Sequence, residues 1–537
     1  MHGLMQAEPL TTSSILEHAE RCHGGQSIVS RMVEGPIHRY TYRELAGRSR
    51  RLANALLSMG MTGDDVVGTL AWNGFRHVES WYAVTGLGLV LHTINPRLSP
   101  EQLTYIINDA EDRIILIDLT FVPLLESIAD KLPTLRDIVI LTDREQMPVT
   151  SLRSVHCYEE LLEQSSASLH WPALPENTAS SLCYTSGTTG KPKGVLYSHR
   201  SNVLHALSVC TPNVMGLGMQ SVVLPVVPMF HANAWGIIHA GPMAGSRLVL
   251  PGPLMDGKNL HELITGEEVD VAAAVPTIWQ MFLQYLEDND KKVDCLNQVM
   301  IAGSAVPRKM IDIFRRKYGV TVCHAWGMTE MSPVGTINHP GPETKTLTEE
   351  EKLSLRCKQG RFVYGVAARI VDESNQELPW DGESAGYLKV RGPWIASNYY
   401  KHAGNDFLDK DGFMDTGDIG TIDANGYLRI TDRAKDLIKS GGEWISSLEL
   451  EDHAMDHPDV ALAAAIAIHD PKWDERPILI VKLKQDHSAE AEDIRVFVTR
   501  RVAKWQAPDA VTVIDEMPLT ATGKVNKLVL REKFARR

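Results

Sequence analysis

The chain has 537 residues, a formal net charge of −13 and 44% hydrophobic residues. This length exceeds what one ordinary hydrophobic core serves, which predicts two or more domains with clefts between them. The acidic balance excludes a general attraction to nucleic acid or to anionic lipid, so we expect a small molecule as the partner.

The cysteines and the N-terminal residues bear on the compartment. Seven cysteines are scattered without a C-x-x-C pair, which argues against a disulfide framework and against a zinc site. Glu8 and Pro9 interrupt the N-terminal region where a secretory signal would be continuously apolar. The chain also lacks an apolar run of about 18 residues, so we expect a cytoplasmic protein without integral membrane contact.

Helical and β-rich segments alternate over the first 400 residues. Apolar residues recur at helical spacing from Thr41 to Gly60, which predicts a helix that ends at a glycine. The runs RIILID (113–118) and DIVILTD (137–143) are predicted to be short strands. Together these patterns indicate an α/β fold.

The loop YTSGTTGKPKG (184–194) differs from the P-loop, in which Ser or Thr follows the lysine at the start of a helix. Here Pro192 follows Lys191, and the next residues, GVLYSH, are predicted to form a strand. Glycine leaves backbone N–H groups open to an anion, and the hydroxyls with Lys191 and Lys193 can bind polyphosphate oxygens. A turn-rich hairpin loop is the alternative, but the length of the loop and its lysines favour phosphate binding.

Residues His231 and Trp235 in FHANAW are four apart, so on a helix both would project from one face. Such a pair could line a ligand pocket, or it could be a histidine packed on a tryptophan in the core. The spacing alone leaves these alternatives even.

The segment HAWGMTEMSP (324–333) places Trp326 shortly before Thr329 and Glu330. The Trp326 ring could stack on a nucleotide base while the Glu330 carboxylate helps to hold Mg²⁺ on the phosphates. The alternative is that Trp326 is a core residue and Glu330 lies on the surface. Asp418, in DTGD, can accept hydrogen bonds from two ribose hydroxyls, with Arg433 as a nearby cation.

A change of composition at 411–426, DGFMDTGDIGTIDANG, predicts a joint between domains. Beyond it we expect a helix with a capping box of Ser446 and Glu449, followed by the strands VALAAAIAIH, ILIVKLKQ and AVTVID. Before the last strand, an amphipathic helix would carry Ile494, Phe497, Val498, Val502 and Trp505. These elements suit a small α+β domain, near whose end Lys524 would ordinarily be a solvent-exposed tail residue.

Taken in order, YTSGTTGKPKG, WGMTE, TGD, DRAKDLIKSGGEWIS and TGKVNK resemble the motifs of the adenylate-forming superfamily of acyl-CoA synthetases, luciferases and peptide-synthetase adenylation domains. The resemblance covers nearly the whole chain. PMFHANAWG and GGEWISSLELE are similar to the short-to-medium-chain fatty acyl-CoA ligases, a branch that includes bacterial 3-methylmercaptopropionate-CoA ligases. The resemblance implies an adenylate-forming fold with two domains. The large multi-sheet N-terminal domain, 1–434, would contain the AMP site and the acyl pocket, and the small α+β C-terminal domain, 435–537, would be mobile.

The resemblance also implies a two-step reaction that uses ATP, Mg²⁺ and coenzyme A. A carboxylic acid and ATP give acyl-AMP and pyrophosphate, and the thiol of CoA then displaces AMP. Positioned cations and backbone donors are what the first step needs, because it brings two anions together.

The family's functional residues match this chain position by position. Lys524 would bridge the acyl carboxylate and the α-phosphate, Glu330 and Thr185 would hold Mg²⁺, and His231 joins the catalytic group. Lys435 would be the hinge about which the small domain turns between the two steps. The implied ATP or AMP site consists of Thr185, Ser186, Gly187, Thr188, Thr189, Gly190, Lys191, Lys193, Ala302, Gly303, Ala325, Trp326, Gly327, Met328, Thr329, Asp418 and Arg433. The implied acyl pocket consists of His231, Trp235, Gly303, Trp326, Met331 and Pro333, and the implied CoA and thioesterification site of Lys439, Ser440, Gly441, Gly442, Glu443 and Trp444.

Other activities of the same superfamily remain open. An amino-acid-activating domain is disfavoured, because His231 follows Phe230 where that class has an acidic residue. The motifs do not exclude a luciferase-like oxygenase. The presence of Lys524, Glu330 and the loop lysines weighs against a ligand sensor without turnover. Among acids, a pocket narrowed by Trp235, Trp326 and Met331 predicts a slim short-to-medium chain, with 3-methylmercaptopropionate as a candidate and long-chain or aromatic acids as the second choice. A homodimer is consistent with the branch.

Overall fold

The computed structural model describes residues 1, 3–185, 191–404, 406–441, 443–485, 487–520 and 524–534. Over these residues the strands, numbered along the chain, are β1 Ser27–Arg31, β2 Ile37–Thr41, β3 Val66–Leu70, β4 Val90–Thr93, β5 Ile114–Ile117, β6 Asp137–Ile140, β7 Val155–Cys157, β8 Ala179–Tyr184, β9 Gly194–Ser198, β10 Val222–Pro225, β11 Arg247–Leu250, β12 Val271–Ala274, β13 Gln298–Ile301, β14 Thr321–Gly327, β15 Val334–Ile337, β16 Gly360–Phe362, β17 Ala367–Val371, β18 Gly386–Arg391, β19 Met414–Ile422, β20 Tyr427–Arg433, β21 Ile438–Ser440, β22 Glu443–Ile445, β23 Val460–Asp470, β24 Asp474–Leu483 and β25 Ala510–Val513.

The α-helices are α1 Thr12–His23, α2 Tyr42–Ser58, α3 Phe75–Gly86, α4 Pro100–Ala110, α5 Val122–Glu126, α6 Tyr158–Glu163, α7 His199–Cys210, α8 Ile237–Ala244, α9 Gly257–Gly266, α10 Pro276–Asp288, α11 Arg308–Tyr318, α12 Glu349–Cys357, α13 Ser447–Met455, α14 Ala491–Thr499 and α15 Lys527–Phe534. Short 3₁₀ helices occupy Leu119–Phe121, Ala129–Lys131, Arg144–Gln146, Ala232–Gly236, Thr329–Met331 and Pro342–Thr346. None of the helices in this part of the chain has the length and apolar character that crossing a bilayer requires.

Three sheets carry the described strands, which confirms the predicted α/β class with a large multi-sheet part and a smaller α+β part. A 13-stranded sheet has the order β17-β18-β19-β20-β16-β15-β14-β13-β12-β10-β11-β1-β2. A seven-stranded sheet has the order β7-β6-β5-β3-β4-β8-β9. The smaller sheet has the order β22-β21-β24-β23, and β25 pairs with β24.

Strand β14 is the point where the large sheet changes character. It runs parallel to β13 and antiparallel to β15. Parallel strands buried on both faces read as continuous apolar runs, as in QVMI of β13 and VAAA of β12. The carboxyl ends of β13 and β14 therefore open beside a region of antiparallel hairpins, which is a common place for a ligand in α/β proteins.

The N-terminal elements agree with their sequence patterns. Helix α2 begins after Thr41, which forms a capping box with Glu44, and its apolar stripe is buried. The run RIILID contains β5, whose four residues are all buried. The predicted helix and the predicted short strands are confirmed.

The position predicted for the joint between domains, 411–426, is wrong. These residues contain the whole of β19 and the turn that leads to β20, and the two strands pair antiparallel within the 13-stranded sheet. Aspartate and glycine are as typical of a tight turn as of a linker, and Gly426 takes a φ of 81° in this turn. The last strand of the large sheet ends at Arg433, and the first strand of the smaller sheet begins at Ile438. The predicted domain division at 434/435 falls in the link between them and stays a prediction.

Two details of the smaller part differ from the predictions. Ser446 caps α13 by accepting a hydrogen bond from the Glu449 N–H, but only this half of the capping box is formed. Helix α14 ends at Thr499, so Val502 and Trp505 lie beyond it, and Trp505 is largely exposed. Local spacing cannot show where a helix stops when no glycine or proline marks its end.

Candidate functional site

A cavity of about 880 Å³ lies at the carboxyl ends of β13 and β14. The ends of β19 and β20 and the C-terminal Lys524 close it from the other side. Its lining residues are Tyr105, Thr185, Lys191, Pro192, Lys193, His231, Ala232, Trp235, Met300, Ala302, Gly303, Ala325, Trp326, Gly327, Met328, Thr329, Glu330, Pro333, Val334, Tyr387, Tyr399, Asp415, Thr416, Gly417, Arg433, Ala434 and Lys524. Most of the predicted ATP and acyl residues within the described ranges thus share one cavity.

The phosphate-binding loop predicted from sequence has the expected setting. Antiparallel β8 and β9 flank it, and the Thr185 N–H donates to the Lys193 carbonyl at 2.9 Å, which closes its base. The Lys191 ammonium lies 4.9 Å from the centre of the Tyr105 ring, and that of Lys193 lies 4.6 Å from the Tyr399 ring. The predicted residues Ser186, Gly187, Thr188, Thr189 and Gly190 lie outside the described residues.

Glu330 lies in the 3₁₀ turn after β14 and is 6% exposed. The Tyr399 hydroxyl donates to its Oε1 at 2.7 Å, and burial together with the Glu330 charge raises the pKa of Tyr399. The other carboxylate oxygen accepts no hydrogen bond from the described residues, and Glu330 lines the cavity.

These oxygens suit a hard cation shared with a nucleotide. Among the described residues no cluster of three or more acidic, His or Cys side chains could hold a metal by itself. Mg²⁺ characteristically uses one or two protein carboxylates together with phosphate oxygens and water, so Glu330 and the Thr185 hydroxyl fit it as part of a magnesium–nucleotide site.

Trp326, Asp418 and Arg433 form a connected group. The Trp326 Nε1–H donates to Asp418 Oδ2 at 2.8 Å, and Arg433 Nε lies 2.7 Å from Oδ1. Burial raises the pKa of Asp418, although Arg433 and the indole bond oppose this. Asp418 is 2% exposed and lies behind the cavity wall, whose surface here is formed by Asp415 to Gly417. Its ribose role stays a prediction, and its observed contacts are to the predicted base platform.

Lys524 lines the cavity, although it belongs to the C-terminal part of the chain. Its side chain is solvent-accessible, but it lies along the cavity, where the surrounding protein removes much of the water that would otherwise solvate the ammonium. This desolvation and the nearby Arg433 lower the pKa of Lys524 to about 8, against the attraction of Asp418. Lys524 is therefore a cation in the lining of a cavity that has both polar and apolar walls.

The predicted helix face for His231 and Trp235 is wrong, although both residues line the cavity. Residues Asn233 to Trp235 form a left-handed 3₁₀ turn with φ values of 59°, 49° and 54°. Left-handed turns of non-glycine residues are unfavourable, so helical spacing could not predict this geometry. Burial and the charges of Lys524 and Arg97 lower the pKa of His231 to about 4, so its imidazole is neutral at pH 7.

The acyl pocket predicted from sequence is largely assembled, with one correction. His231, Trp235, Gly303, Trp326 and Pro333 line the cavity. Met331 is fully buried and does not line it, because its side chain packs behind Gly335, where an added Cβ would lie 2.7 Å from the Met331 methyl. The described wall carries Met300 and Val334 in addition.

The described residues of the predicted CoA segment, 439–441 and 443–444, lie outside the cavity. Lys439, Ser440 and Glu443 belong to β21 and β22, and the Gly441 N–H donates to the Trp473 carbonyl at 2.8 Å. Trp444 comes nearest, with its ring 6.3 Å from that of the cavity residue Tyr387. Gly442 is outside the described residues.

The predicted hinge residue, Lys435, is solvent-exposed in the link between the large and the small sheet. Arg531 of α15 donates to the Lys435 carbonyl at 3.3 Å and pairs with Asp436. The side chain remains solvent-exposed, but nearby protein removes part of the water around its ammonium, and this desolvation together with the neighbouring cations lowers the pKa of Lys435.

Several lining residues escaped the sequence reasoning. Tyr105 comes from α4, Met300 from the interior of β13, and Tyr387 and Tyr399 from segments without a recognised motif. Thr416 and Gly417 could have been found, because they belong to the DTGD motif from which only Asp418 was chosen.

Models of two parts of one family match the chain. The AMP-binding enzyme model matches residues 16–400, and the model of the AMP-binding enzyme C-terminal domain matches residues 449–524. The chain belongs to the AMP-binding enzyme family. The membership predicted from its motifs is thereby confirmed.

Several members that are similar to this chain over nearly their whole length are named CoA ligases. A 3-methylmercaptopropionyl-CoA ligase of Ruegeria lacuscaerulensis is 48% identical over 535 residues, 99% of each chain. A medium-chain-fatty-acid–CoA ligase of Ectopseudomonas oleovorans is 46% identical over 534 residues, 99% of this chain and 98% of that protein. The crystal structure of the anthranilate CoA ligase AuaEII in complex with anthranoyl-AMP has a TM-score of 0.87 and 25% identity, covering 98% of this chain and 99% of its own.

Proposed function

We propose that this chain is an ATP-dependent acid–CoA ligase that forms an acyl-AMP and then an acyl-CoA. The observation that carries the proposal is the convergence of Lys524, Glu330, Lys193 and Trp326 on one cavity, although they come from separate parts of the sequence. The names of the full-length relatives support the same reaction class.

In the first half-reaction, an oxygen of the acid attacks the α-phosphorus of ATP, and pyrophosphate leaves with the electron pair of the broken P–O bond. Lys191, Lys193 and the Thr185 hydroxyl bind the phosphates, and the Trp326 ring supports the base. The Lys524 ammonium lies between the acid carboxylate and the α-phosphate and offsets their repulsion. Glu330 and Thr185 would hold Mg²⁺, which neutralises phosphate charge when bound.

In the second half-reaction, the CoA sulfur, having lost its proton to solvent, attacks the acyl carbonyl carbon, and AMP leaves with the electron pair of the broken acyl C–O bond. Lys524 lines the cavity, whereas 439–441 and 443–444 lie outside it, and these positions support an arrangement suited to the first half-reaction. We propose that rotation about Lys435 withdraws Lys524 and brings Lys439 to Trp444 to the thiol.

We propose a slim short-to-medium-chain acid as the substrate, with 3-methylmercaptopropionate as a specific candidate. The apolar part of the wall, which includes Trp235, Met300 and Val334, supports an unbranched chain. A thioether sulfur differs little from a methylene in size and polarity, so the two substrate types of the similar relatives suit one pocket.

Acid-dependent ATP–pyrophosphate exchange tests this function. Exchange should appear with butyrate, hexanoate, octanoate or methylmercaptopropionate, and kcat/KM for CoA thioester formation should be lower for cinnamate. A lack of exchange with every acid would favour a ligand sensor, whereas light emission with luciferin, ATP and O₂ would favour the luciferase class. Values that are flat or highest for cinnamate would refute the slim pocket and support the long-chain or aromatic alternative.

The seven unpaired cysteines support a reducing compartment, and we propose the cytoplasm. The homodimer stays a prediction, which light scattering of the purified chain tests.

A further inference from the structure

Tyr399 contacts two groups that the proposed function assigns to ATP. Its hydroxyl donates to Glu330 Oε1 at 2.7 Å, and its ring lies 4.6 Å from the Lys193 ammonium. Tyr399 itself lines the cavity, yet no sequence motif drew attention to it. One side chain thus connects the candidate metal carboxylate with a candidate phosphate cation.

The backbone around Tyr399 fixes this arrangement from both sides. The Ala396 N–H donates to the Glu330 carbonyl at 2.8 Å, and the Tyr400 N–H donates to the Gly194 carbonyl at 2.8 Å. Gly194 directly follows Lys193, so the segment 396–400 connects the 3₁₀ turn of Glu330 to the base of the phosphate loop.

The Tyr399 ring is held as well. Phe407 meets it edge to face, with centroids 4.8 Å apart and an interplanar angle of 88°. This packing leaves the ring available to the Lys193 ammonium, an orientation that favours a cation–π contact. Lys193 forms no ion pair with a described carboxylate, although Asp406 lies close enough for its charge to be affected by the lysine, so the ammonium remains available for a phosphate.

The hydrogen bond has a corresponding effect on Glu330. A free glutamate side chain populates several rotamers, and ordering it for a ligand costs conformational entropy. The bond from Tyr399 occupies Oε1 and restricts the carboxylate before any ligand arrives. The second oxygen, which accepts no hydrogen bond from the described residues, is left for a cation.

The geometry points to Tyr399 as a positioning residue that orders the Glu330 carboxylate and the Lys193 ammonium for the binding of magnesium–ATP. The inference depends on the proposed function, because it assigns both groups to the nucleotide. It assigns separate roles to the two parts of the Tyr399 side chain: the hydroxyl orients the Glu330 carboxylate, and the ring positions the Lys193 ammonium.

Two substitutions separate these roles. Tyr399→Phe keeps the ring beneath Lys193 and removes the hydroxyl, whereas Tyr399→Leu removes both. Tyr400→Phe is the matched control, because no hydrogen bond of the Tyr400 hydroxyl is found within the described ranges and this residue does not line the cavity. Thermal unfolding of each variant reports whether the fold is retained.

The test is equilibrium binding of ATP by calorimetry, first in EDTA and then with Mg²⁺ titrated at fixed ATP. For Tyr399→Phe we expect the half-saturating Mg²⁺ concentration to rise about 5- to 10-fold, as the loss of a charge-assisted hydrogen bond predicts. Its Kd for ATP in EDTA should stay within about twofold of that of the unaltered chain. For Tyr399→Leu the metal-free Kd should rise about 3- to 5-fold in addition.

The outcomes distinguish the inference from the function on which it depends. If the unaltered chain binds ATP with Mg²⁺ but Tyr399→Phe matches Tyr400→Phe, the positioning role is refuted and the ligase function stands. Equal weakening of ATP binding with and without metal, together with a lower unfolding temperature, would show a purely structural role and also refute it. If the unaltered chain binds no ATP, both the proposed function and this inference are overturned.

Discussion

Replacement of Lys524 by alanine should separate the two half-reactions. A unit charge about 4 Å from a phosphate oxygen contributes about 4 kcal/mol at an effective dielectric constant of about 20. The lowered pKa of Lys524, about 8, indicates surroundings less polarisable than bulk water, so this dielectric constant is appropriate. Because the cavity still admits water, we take about 3 kcal/mol, which predicts a loss of about 10²-fold in the rate of acyl-AMP formation.

The assay follows each half-reaction by itself. Pyrophosphate release in a single turnover reports acyl-AMP formation, and conversion of supplied acyl-AMP with CoA reports thioester formation. Lys524→Ala should lose the first and retain the second within about threefold. The exposed Lys504, also in the C-terminal part, provides the control variant Lys504→Ala. Equal losses in both half-reactions, or an unchanged first half-reaction, would refute the role given to Lys524.

Three further predictions address pH dependence, specificity and stability. Because the pKa of Lys524 is lowered to about 8, its charge is lost as the pH rises through this value, so kcat/KM for acyl-AMP formation should fall above about pH 8. In Lys524→Arg, whose guanidinium stays charged, a pH–rate profile should lack this fall; its persistence would assign the titration to another group. Trp235→Leu should widen the cavity and raise kcat/KM for octanoate relative to butyrate by about 10-fold, since the space gained would bury about two further methylenes of octanoate at about 0.8 kcal/mol each; an unchanged ratio would remove Trp235 from the acyl wall. Gly360→Ala should lower the free energy of unfolding by about 3 kcal/mol in urea denaturation, because Gly360 has a φ of 90° and an added Cβ would lie 2.1 Å from the Ile337 carbonyl. Gly266→Ala, where a Cβ meets nothing within 4 Å, should change that free energy by no more than about 1 kcal/mol.

The loop predicted to bind phosphate and the segment that carries Glu330 could be recognised in the sequence because each is a contiguous motif. Their chemistry depends on neighbours in sequence, such as Lys191 beside Lys193, and the strand after the loop follows from its own apolar pattern. The fold class was predictable for the same reason. Alternating helices and apolar strands specify layers of helix and sheet regardless of the order of strands within a sheet.

The aromatic residues of the cavity wall were not predictable from spacing. Tyr105 and Tyr399 are almost 300 residues apart in the sequence. They contact Lys191 and Lys193 of the loop only because the folded chain brings the two tyrosines to it. Their role depends on tertiary proximity, which a single sequence does not encode in any local pattern. The left-handed turn at Asn233 to Trp235 is a second case, because the surrounding core overrides the local preference of these residues.

The pairing of Asp418 with Trp326 and Arg433 has a consequence for how an intermediate is retained. Asp418 and Arg433 face each other across β19 and β20, upstream of Lys435, and they belong to the same sheet as Trp326. A rotation that begins at Lys435 would leave this group undisturbed while Lys524 departs. The nucleotide half of the reactive mixed anhydride would then stay bound to this unmoving wall while the C-terminal residues on the opposite side of the cavity are replaced. The compound would not have to be released between the two reactions, where bulk water would hydrolyse it.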